Sequence, residues 1–183
     1  MTTKQIAAEK NLTDKQISAA VRDIPDFPKK GILFKDITPL LGDAVLFKKA
    51  VDKFVEQFKD CGITKVVAIE SRGFIFGAPL AVALGAGFVP IRKKGKLPYK
   101  TYKAEFSLEY GVDSIEIHQD AISPSDKVLL IDDLLATGGT TKAALELIKK
   151  FGAKIEACAF LCELGFLKGK DVIDEKVITF FTF

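Results

Sequence analysis

Apolar residues along the chain recur at two spacings, one helical and one in short continuous runs, and the two alternate. From Asp43 onward, Val45, Phe47, Val51, Phe54, Val55 and Phe58 return every three or four residues, which predicts an amphipathic helix ending near Cys61 and Gly62. Residues 65–69 form a β-branched run that predicts a buried strand, 73–84 an apolar helix rich in small residues, and 87–91 a second strand. The same alternation resumes with a strand at 127–131, a helix at 140–151 and strands at 155–161 and 177–181. Between these blocks, 92–110 is polar, and 112–118 alternates with period two, as expected of an antiparallel strand with one wet face. Ahead of them, Thr13 or Asp14 can cap a short helix carrying Ile17, Ala20 and Val21, which the closely spaced Pro25 and Pro28 bring to an end. The segment 31–41 is apolar but punctuated at both ends.

Continuous apolar strands alternating with helices predict an α/β fold: an open, mostly parallel twisted sheet with helices on both faces. A length of 183 residues suits one domain, 1–183, with residues 1–24 as an N-terminal helical arm. In such a sheet ligands bind outside the carboxyl ends of the strands, so the sequence following each strand carries the functional information.

Composition narrows the chemistry. The net charge of +3 is too small to imply nucleic acid. One histidine and three cysteines, Cys61, Cys158 and Cys162, cannot assemble a zinc site of usual composition, and they read as buried thiols of a reducing compartment. No signal-peptide core and no run of about 20 apolar residues occurs, so no membrane partner and a cytoplasmic location are expected. Asn11-Leu12-Thr13 matches a glycosylation sequon that has no meaning without a secretory route.

The run VLLIDDLLATGGTT, residues 128–141, is the most informative stretch. A strand delivers two acids, Asp132 and Asp133, and after two leucines the loop Ala136, Thr137, Gly138, Gly139, Thr140 and Thr141 opens a helix. Glycines let backbone N–H groups close on an anion, and the helix start favours phosphate there. Two acids beside a phosphate cradle make sense if they face ribose hydroxyls or a magnesium ion bridging to further phosphates. The P-loop string GxxxxGK[ST] is absent, and the Gly85-Ala86-Gly87 fragment precedes a strand where a dinucleotide fingerprint would open a helix. His118 has no placed serine or cysteine partner for a hydrolytic triad.

This run resembles the phosphoribosyl pyrophosphate motif of the type I phosphoribosyltransferases, in the wording of their adenine-accepting members. Pro25-Asp26-Phe27-Pro28, GILFKDITPLL from Gly31, ESRGFIFGAPLA from Glu70, RKKGKLP from Arg92 and SLEYG from Ser107 match further blocks of that family, in its order, over about residues 25–165. The resemblance adds a small hood and a flexible lid loop at 92–111 to the expected fold. It implies transfer of the 5-phosphoribosyl group to N9 of adenine, with Mg²⁺ as cofactor, adenine and phosphoribosyl pyrophosphate as small-molecule partners, and a homodimer. Asp132 and Asp133 would hold the ribose, the Ala136–Thr141 loop the 5′-phosphate, and Arg72 the pyrophosphate, behind a peptide that tends to be cis. Arg92 and Lys96, from a stretch of six basic residues and no acid between 92 and 103, would be phosphate ligands, and Tyr110 a further substrate contact. Related 6-oxopurine enzymes carry an acid where this chain has Ala136, and the family match moves the proton-handling acid to Glu109. Leu33, Phe34 and Lys35 would form the adenine pocket, with Phe34 stacked on the base; the family more often has arginine at the position of Lys35. Two rivals stay open: a phosphoribosyltransferase for another base, and a regulator that senses phosphoribosyl pyrophosphate.

Overall fold

A computed structural model describes residues 14–108 and 111–183, with side chains throughout except at 107, 108, 111 and 112. The chain gathers into two compact units, one ending at Phe54 and one spanning Val55–Phe183.

The first unit begins with helix α1 (Asp14–Ala19), whose Ile17 is fully buried. Strands β1 (Arg22–Pro25) and β2 (Leu33–Asp36) follow as an antiparallel pair, with Asp23 opposite Lys35 and Ile24 opposite Phe34. The prolines hid this hairpin: Pro25 ends β1, where a missing N–H is tolerated, and the Phe27–Pro28 peptide is cis. Asp26, at φ 56°, closes the turn by accepting the Gly31 N–H at 2.7 Å. Asp36 accepts hydrogen bonds from the Thr38 hydroxyl and N–H, at the start of helix α2 (Thr38–Gly42), and from Arg22. These donors, Thr38 first, hold the Asp36 carboxyl down at about 2. Helix α3 (Ala44–Phe58) has the predicted apolar periodicity and ends three residues short of Cys61. Cys61, expected to be buried, lies beyond the helix end and is partly exposed.

The second unit is built on a seven-stranded sheet. Its elements are β3 (Lys65–Ile69), helix α4 (Arg72–Leu84), β4 (Gly87–Lys93), β5 (Thr101–Leu108), β6 (Gly111–His118), β7 (Lys127–Leu135), helix α5 (Gly139–Lys149), β8 (Lys154–Glu163), two 3₁₀ turns (Gly165–Leu167 and Gly169–Val172) and β9 (Val177–Thr182). The strand order is β5-β6-β4-β3-β7-β8-β9, with β4-β3-β7-β8-β9 parallel and β5 and β6 antiparallel at one edge. From β3 the chain crosses to β4 on one side, and from β7 to β8 on the other. Right-handed crossovers in opposite directions place α4 and α5 on opposite faces. Gly77 of α4 accordingly abuts Ala68 and Ile131, whereas Val67, Leu130, Val128 and Ile69 pack with Ala144, Leu147 and Ile148 of α5.

The predicted strands are all present, and all but β3 run longer. β7 continues past Ile131 to Leu135 because β8 stays paired with it as far as Glu163, so the two acids lie inside the strand rather than after it. β5 has no counterpart in the predictions. Residues 101–108, read as loop because four basic or polar positions interrupt the apolar pattern, pair along their whole length with β6. An edge strand needs only one buried face, and charged residues on it discourage pairing with a further chain. Of the segment expected to be a loop at 92–111, only 94–100 among the described residues lies outside a strand.

Candidate active site

The order of the sheet reverses between β3 and β7, so the carboxyl ends of these two adjacent strands open the crevice where a doubly wound sheet binds its ligand. Both motif stretches are delivered to that point: Glu70, Ser71 and Arg72 follow β3, and Asp132 to Thr141 close β7. After Leu135 the chain turns through a pocket of about 90 Å³ lined by Asp132, Leu134, Leu135 and the loop Ala136, Thr137, Gly138, Gly139, Thr140 and Thr141. Gly138 stands at φ 82°, a conformation that L side chains resist, and the helix α5 begins immediately after it. The N–H groups of the first turn of α5 have no intrahelical acceptor, which gives the pocket an anion-binding floor. The lining has threonine hydroxyls and no basic side chain, so an anion there is held by dipoles.

The two acids have separate surroundings. Asp132 lines the pocket, its Oδ1 accepting the Asp133 N–H at 2.9 Å. A Cβ on Gly73 would lie 2.9 Å from Asp132 Oδ1 and from the Ile131 carbonyl, so α4 can start this close only because residue 73 is glycine. Asp133 is 2% exposed, and its Oδ2 stands 2.9 Å from Arg72 Nε without accepting a hydrogen bond in proper geometry. Burial, and for Asp132 also the neighbouring Asp133 charge, raises the pH at which these carboxyls ionise; the Arg72 guanidinium opposes the rise.

On the β3 side the Glu70–Ser71 peptide is cis, as the resemblance had implied. Arg92 at the end of β4 binds Glu70 through Nε, 3.1 Å from Oε2, and through Nη2, while the Lys93 N–H donates to the same carboxylate at 2.9 Å. Arg92 Nη1 also donates to the Lys96 carbonyl. The Arg92 hydrogen bond, more than any other contact, holds the Glu70 carboxyl below its usual range, and the Lys96 charge adds to it. Glu70 thus fixes the base of the basic 94–100 turn, a role not visible from sequence because Glu70 read only as the first letter of a motif. Glu116 is a second such anchor. It sits on the face of β6 expected to be wet, yet is 3% exposed, because the Gly95 N–H donates to Oε2 and Lys103 pairs with Oε1. His118, at the end of β6, takes a long hydrogen bond from the Tyr99 N–H at 3.4 Å.

Site residues expected from sequence therefore fall into three groups. Arg72, Arg92, Lys96, Asp132, Asp133 and the 136–141 loop all lie in or just after the carboxyl-terminal parts of β3, β4 and β7. Leu33, Phe34 and Lys35 lie in the first unit, on β2. There Phe34 meets Phe27 edge to face at 5.1 Å, and Lys35 Nζ pairs with Asp23 at 2.6 Å while only 9% of its side chain is exposed. The Lys35 charge is thus engaged within the hairpin. Glu109 and Tyr110 lie outside the described residues, as do residues 1–13 of the expected N-terminal arm. Among the described residues no group of three or more His, Cys, Asp or Glu side chains is placed to hold a metal ion, and no helix is long and apolar enough to cross a membrane.

Comparison with known proteins agrees with this geometry. Residues 41–182 match the phosphoribosyl transferase domain family. The adenine phosphoribosyltransferase of Halothermothrix orenii is 56% identical over 159 residues, which cover 87% of this chain and 94% of that protein. Among solved structures, the adenine phosphoribosyltransferase of Thermoanaerobacter pseudethanolicus superposes with a TM-score of 0.90 at 47% identity, covering 93% of this chain and 100% of that one. The Saccharomyces cerevisiae enzyme, crystallised with an imino-altritol bisphosphate and adenine, gives a TM-score of 0.87 at 40% identity, covering 95% and 99%. A phosphate-cradling loop at the switch point of a doubly wound sheet, and relatives of this identity over nearly the whole chain, have one common meaning: the chain belongs to the adenine phosphoribosyltransferase family.

Proposed function

We infer that the protein transfers the 5-phosphoribosyl group from phosphoribosyl pyrophosphate to N9 of adenine, giving AMP and pyrophosphate, a purine-salvage reaction. The observation that carries this reading is the pocket at the end of β7, in which a glycine loop, a helix start and a carboxylate are arranged for a phosphorylated ribose. The choice of adenine rests on the relatives, among them the yeast enzyme with adenine bound. It also rests on Ala136, which stands where 6-oxopurine enzymes of the wider family carry an acid.

Breaking the bond from C1′ to the pyrophosphate oxygen leaves positive charge on the ribose ring and negative charge on the leaving group, so catalysis is a matter of positioning and charge stabilisation. The Ala136–Thr141 loop receives the 5′-phosphate, and Asp132 accepts ribose hydroxyls at the pocket wall. Asp133 keeps Arg72 oriented in the absence of substrate; pyrophosphate draws the Arg72 guanidinium into bidentate contact. Arg92 and Lys96, on the turn anchored by Glu70, contribute positive charge to the same leaving group. Glu109, with Tyr110 beside it, takes up the adenine proton as N9 attacks, and Phe34 stacks on the base while Leu33 and Lys35 frame it through main-chain atoms. The pairing of Lys35 with Asp23 fits a main-chain role, in which lysine and arginine are equivalent.

Mg²⁺ fits this site only as an ion carried mainly by substrate. It requires about six oxygens in near-octahedral array, and the chain offers two carboxylates on one strand, one of them turned to Arg72. Bound with phosphoribosyl pyrophosphate, the ion would neutralise developing charge on the leaving phosphates. By the same resemblance we propose a homodimer, which sedimentation velocity reads directly, and a cytoplasmic location, consistent with three free thiols.

Glu109→Gln tests the mechanism. Removing one strong transition-state contact costs about 3–4 kcal/mol, so AMP formation is expected to fall by two to three decades while the KM for phosphoribosyl pyrophosphate changes little. Unchanged turnover removes Glu109 from the reaction. Wild-type protein that binds phosphoribosyl pyrophosphate and Mg²⁺ but releases no pyrophosphate with any base would favour the sensor reading.

A further inference from the structure

Behind the phosphate loop lies a turn that the reaction as described does not use. The 3₁₀ turn Gly169–Val172 presses its backbone directly against residues 136–138. A Cβ on Gly138 would lie 2.5 Å from the Gly169 carbonyl oxygen and 2.5 Å from Val172 Cγ2. In return, a Cβ on Gly169 would collide with the Ala136 carbonyl oxygen and lie 3.1 Å from Gly138 N. Two stretches of main chain thus meet at close range, with room for no added methyl at either glycine.

The turn is itself fastened. Lys170 Nζ donates to Glu163 Oε1 at 2.7 Å and to Thr179 Oγ1 at 3.1 Å, and the Thr182 hydroxyl donates to the same Glu163 oxygen at 2.8 Å. Glu163 ends β8 and the two threonines belong to β9, so the turn is tied to the carboxyl end of β8 and to β9. The Leu164 N–H donates to the carbonyl of Leu135, the residue immediately before the loop, at 2.9 Å. Residues 163–172 therefore hold the loop at its entry and brace it at its glycine. A backbone cradle for phosphate works only if its N–H groups keep their aim, and a loop containing Gly138 and Gly139 has little stiffness of its own.

We propose that Gly169 and Lys170 are positioning residues for the 5′-phosphate: Gly169 sets the loop's shape by close backbone contact, and the Lys170–Glu163 pair holds the turn that carries it. The proposal rests on the reading of the 136–141 loop as the 5′-phosphate site. It separates two parts of one substrate. Ribose 5-phosphate carries the 5′-phosphate alone, and inorganic pyrophosphate engages Arg72 and the basic turn.

The test is calorimetric binding of both ligands, with Mg²⁺, to wild type, Gly169→Ala, Lys170→Met and Lys170→Arg, together with the KM for each substrate. An added methyl displaces the Ala136 carbonyl or the Gly138 N–H by a fraction of an ångström, and misplacement of this order costs about tenfold or more. Gly169→Ala is expected to weaken ribose 5-phosphate by about that factor and leave pyrophosphate within about twofold. The KM for phosphoribosyl pyrophosphate rises in parallel, and the KM for adenine does not. Lys170→Met moves the same ligand in the same direction by about threefold, and Lys170→Arg restores it because a guanidinium can reach the same carboxylate. If Gly169→Ala fails to fold, the Lys170 pair carries the test. Equal loss of both ligands, or no loss of ribose 5-phosphate in the folded variants, overturns the brace. Wild type that binds pyrophosphate but not ribose 5-phosphate overturns the loop assignment itself.

Discussion

Asp132 and Asp133 sit side by side on β7, where burial first, and for Asp132 the adjacent charge second, raises the pH at which each carboxyl ionises. A carboxyl with a raised folded-state pKa adds stability fully present below its unfolded value of about 3.9 and lost as pH rises through the folded value. Ionising the pair therefore costs the free protein stability that substrate and its cation would restore. Asp132→Asn keeps the acceptor for the Asp133 N–H and removes one charge. It is predicted to raise the Tm of the ligand-free protein at pH 7 by about 2–4 °C, the shift that ~1 kcal/mol gives in a domain of this size. The gain should vanish below about pH 4, and the KM for phosphoribosyl pyrophosphate should rise. Scanning calorimetry across pH checks this; a lower Tm at pH 7 contradicts it. The acid pair and the glycines of the loop were legible in the sequence because both are local: adjacent residues with incompatible charges, and a backbone that must close on an anion. The contact of Asp133 with Arg72, the Arg92–Glu70 pair and the role of Gly169 were not, because each joins residues from separate elements and leaves no mark on spacing.

Elements with one dominant period were predicted to within about three residues of their ends, except β7, which runs on to Leu135. The parallel strands β3, β4, β7, β8 and β9 and the helices α3, α4 and α5 all carry the apolar pattern their surroundings demand. The β1–β2 hairpin and β5 escaped for opposite reasons. The hairpin's strands are four residues each, too short to show a period, and its turn is rich in proline; β5 is an edge strand whose charged residues break the pattern. Helix α4 was read as rich in small residues, and the structure gives the reason. Gly73 lets the helix start against Asp132, and a Cβ on Gly77, one turn later, would lie 2.7 Å from Ala68 Cβ. Gly77→Ala gains helix propensity but overpacks this contact, so a net loss of about 1–3 kcal/mol is expected in urea unfolding. Gly42→Ala, where nothing lies within 4 Å of the added methyl, is the control expected to stay within about 0.5 kcal/mol. Equal midpoints for the two variants would show that α4 is not pinned to the sheet by its glycines.

Across the whole molecule, the sheet order puts two motifs separated by about sixty residues at one crevice, and the 94–100 turn and the 163–172 segment each add a brace to it. The proposed sugar-phosphate half of the site is built from the switch-point strands. The proposed function assigns base handling to residues other than those of the β7 loop. This division is what distinguishes adenine from the 6-oxopurines in the present account, and base choice is accordingly its central claim. The most direct measurement is the initial rate of nucleotide formation from phosphoribosyl pyrophosphate and Mg²⁺ with adenine, hypoxanthine and guanine in competition. The expected result is AMP formed with kcat/KM at least about a thousandfold above either 6-oxopurine, the scale on which a site built for one set of hydrogen-bond partners rejects another. Comparable rates with hypoxanthine, or a preference for it, would contradict the account.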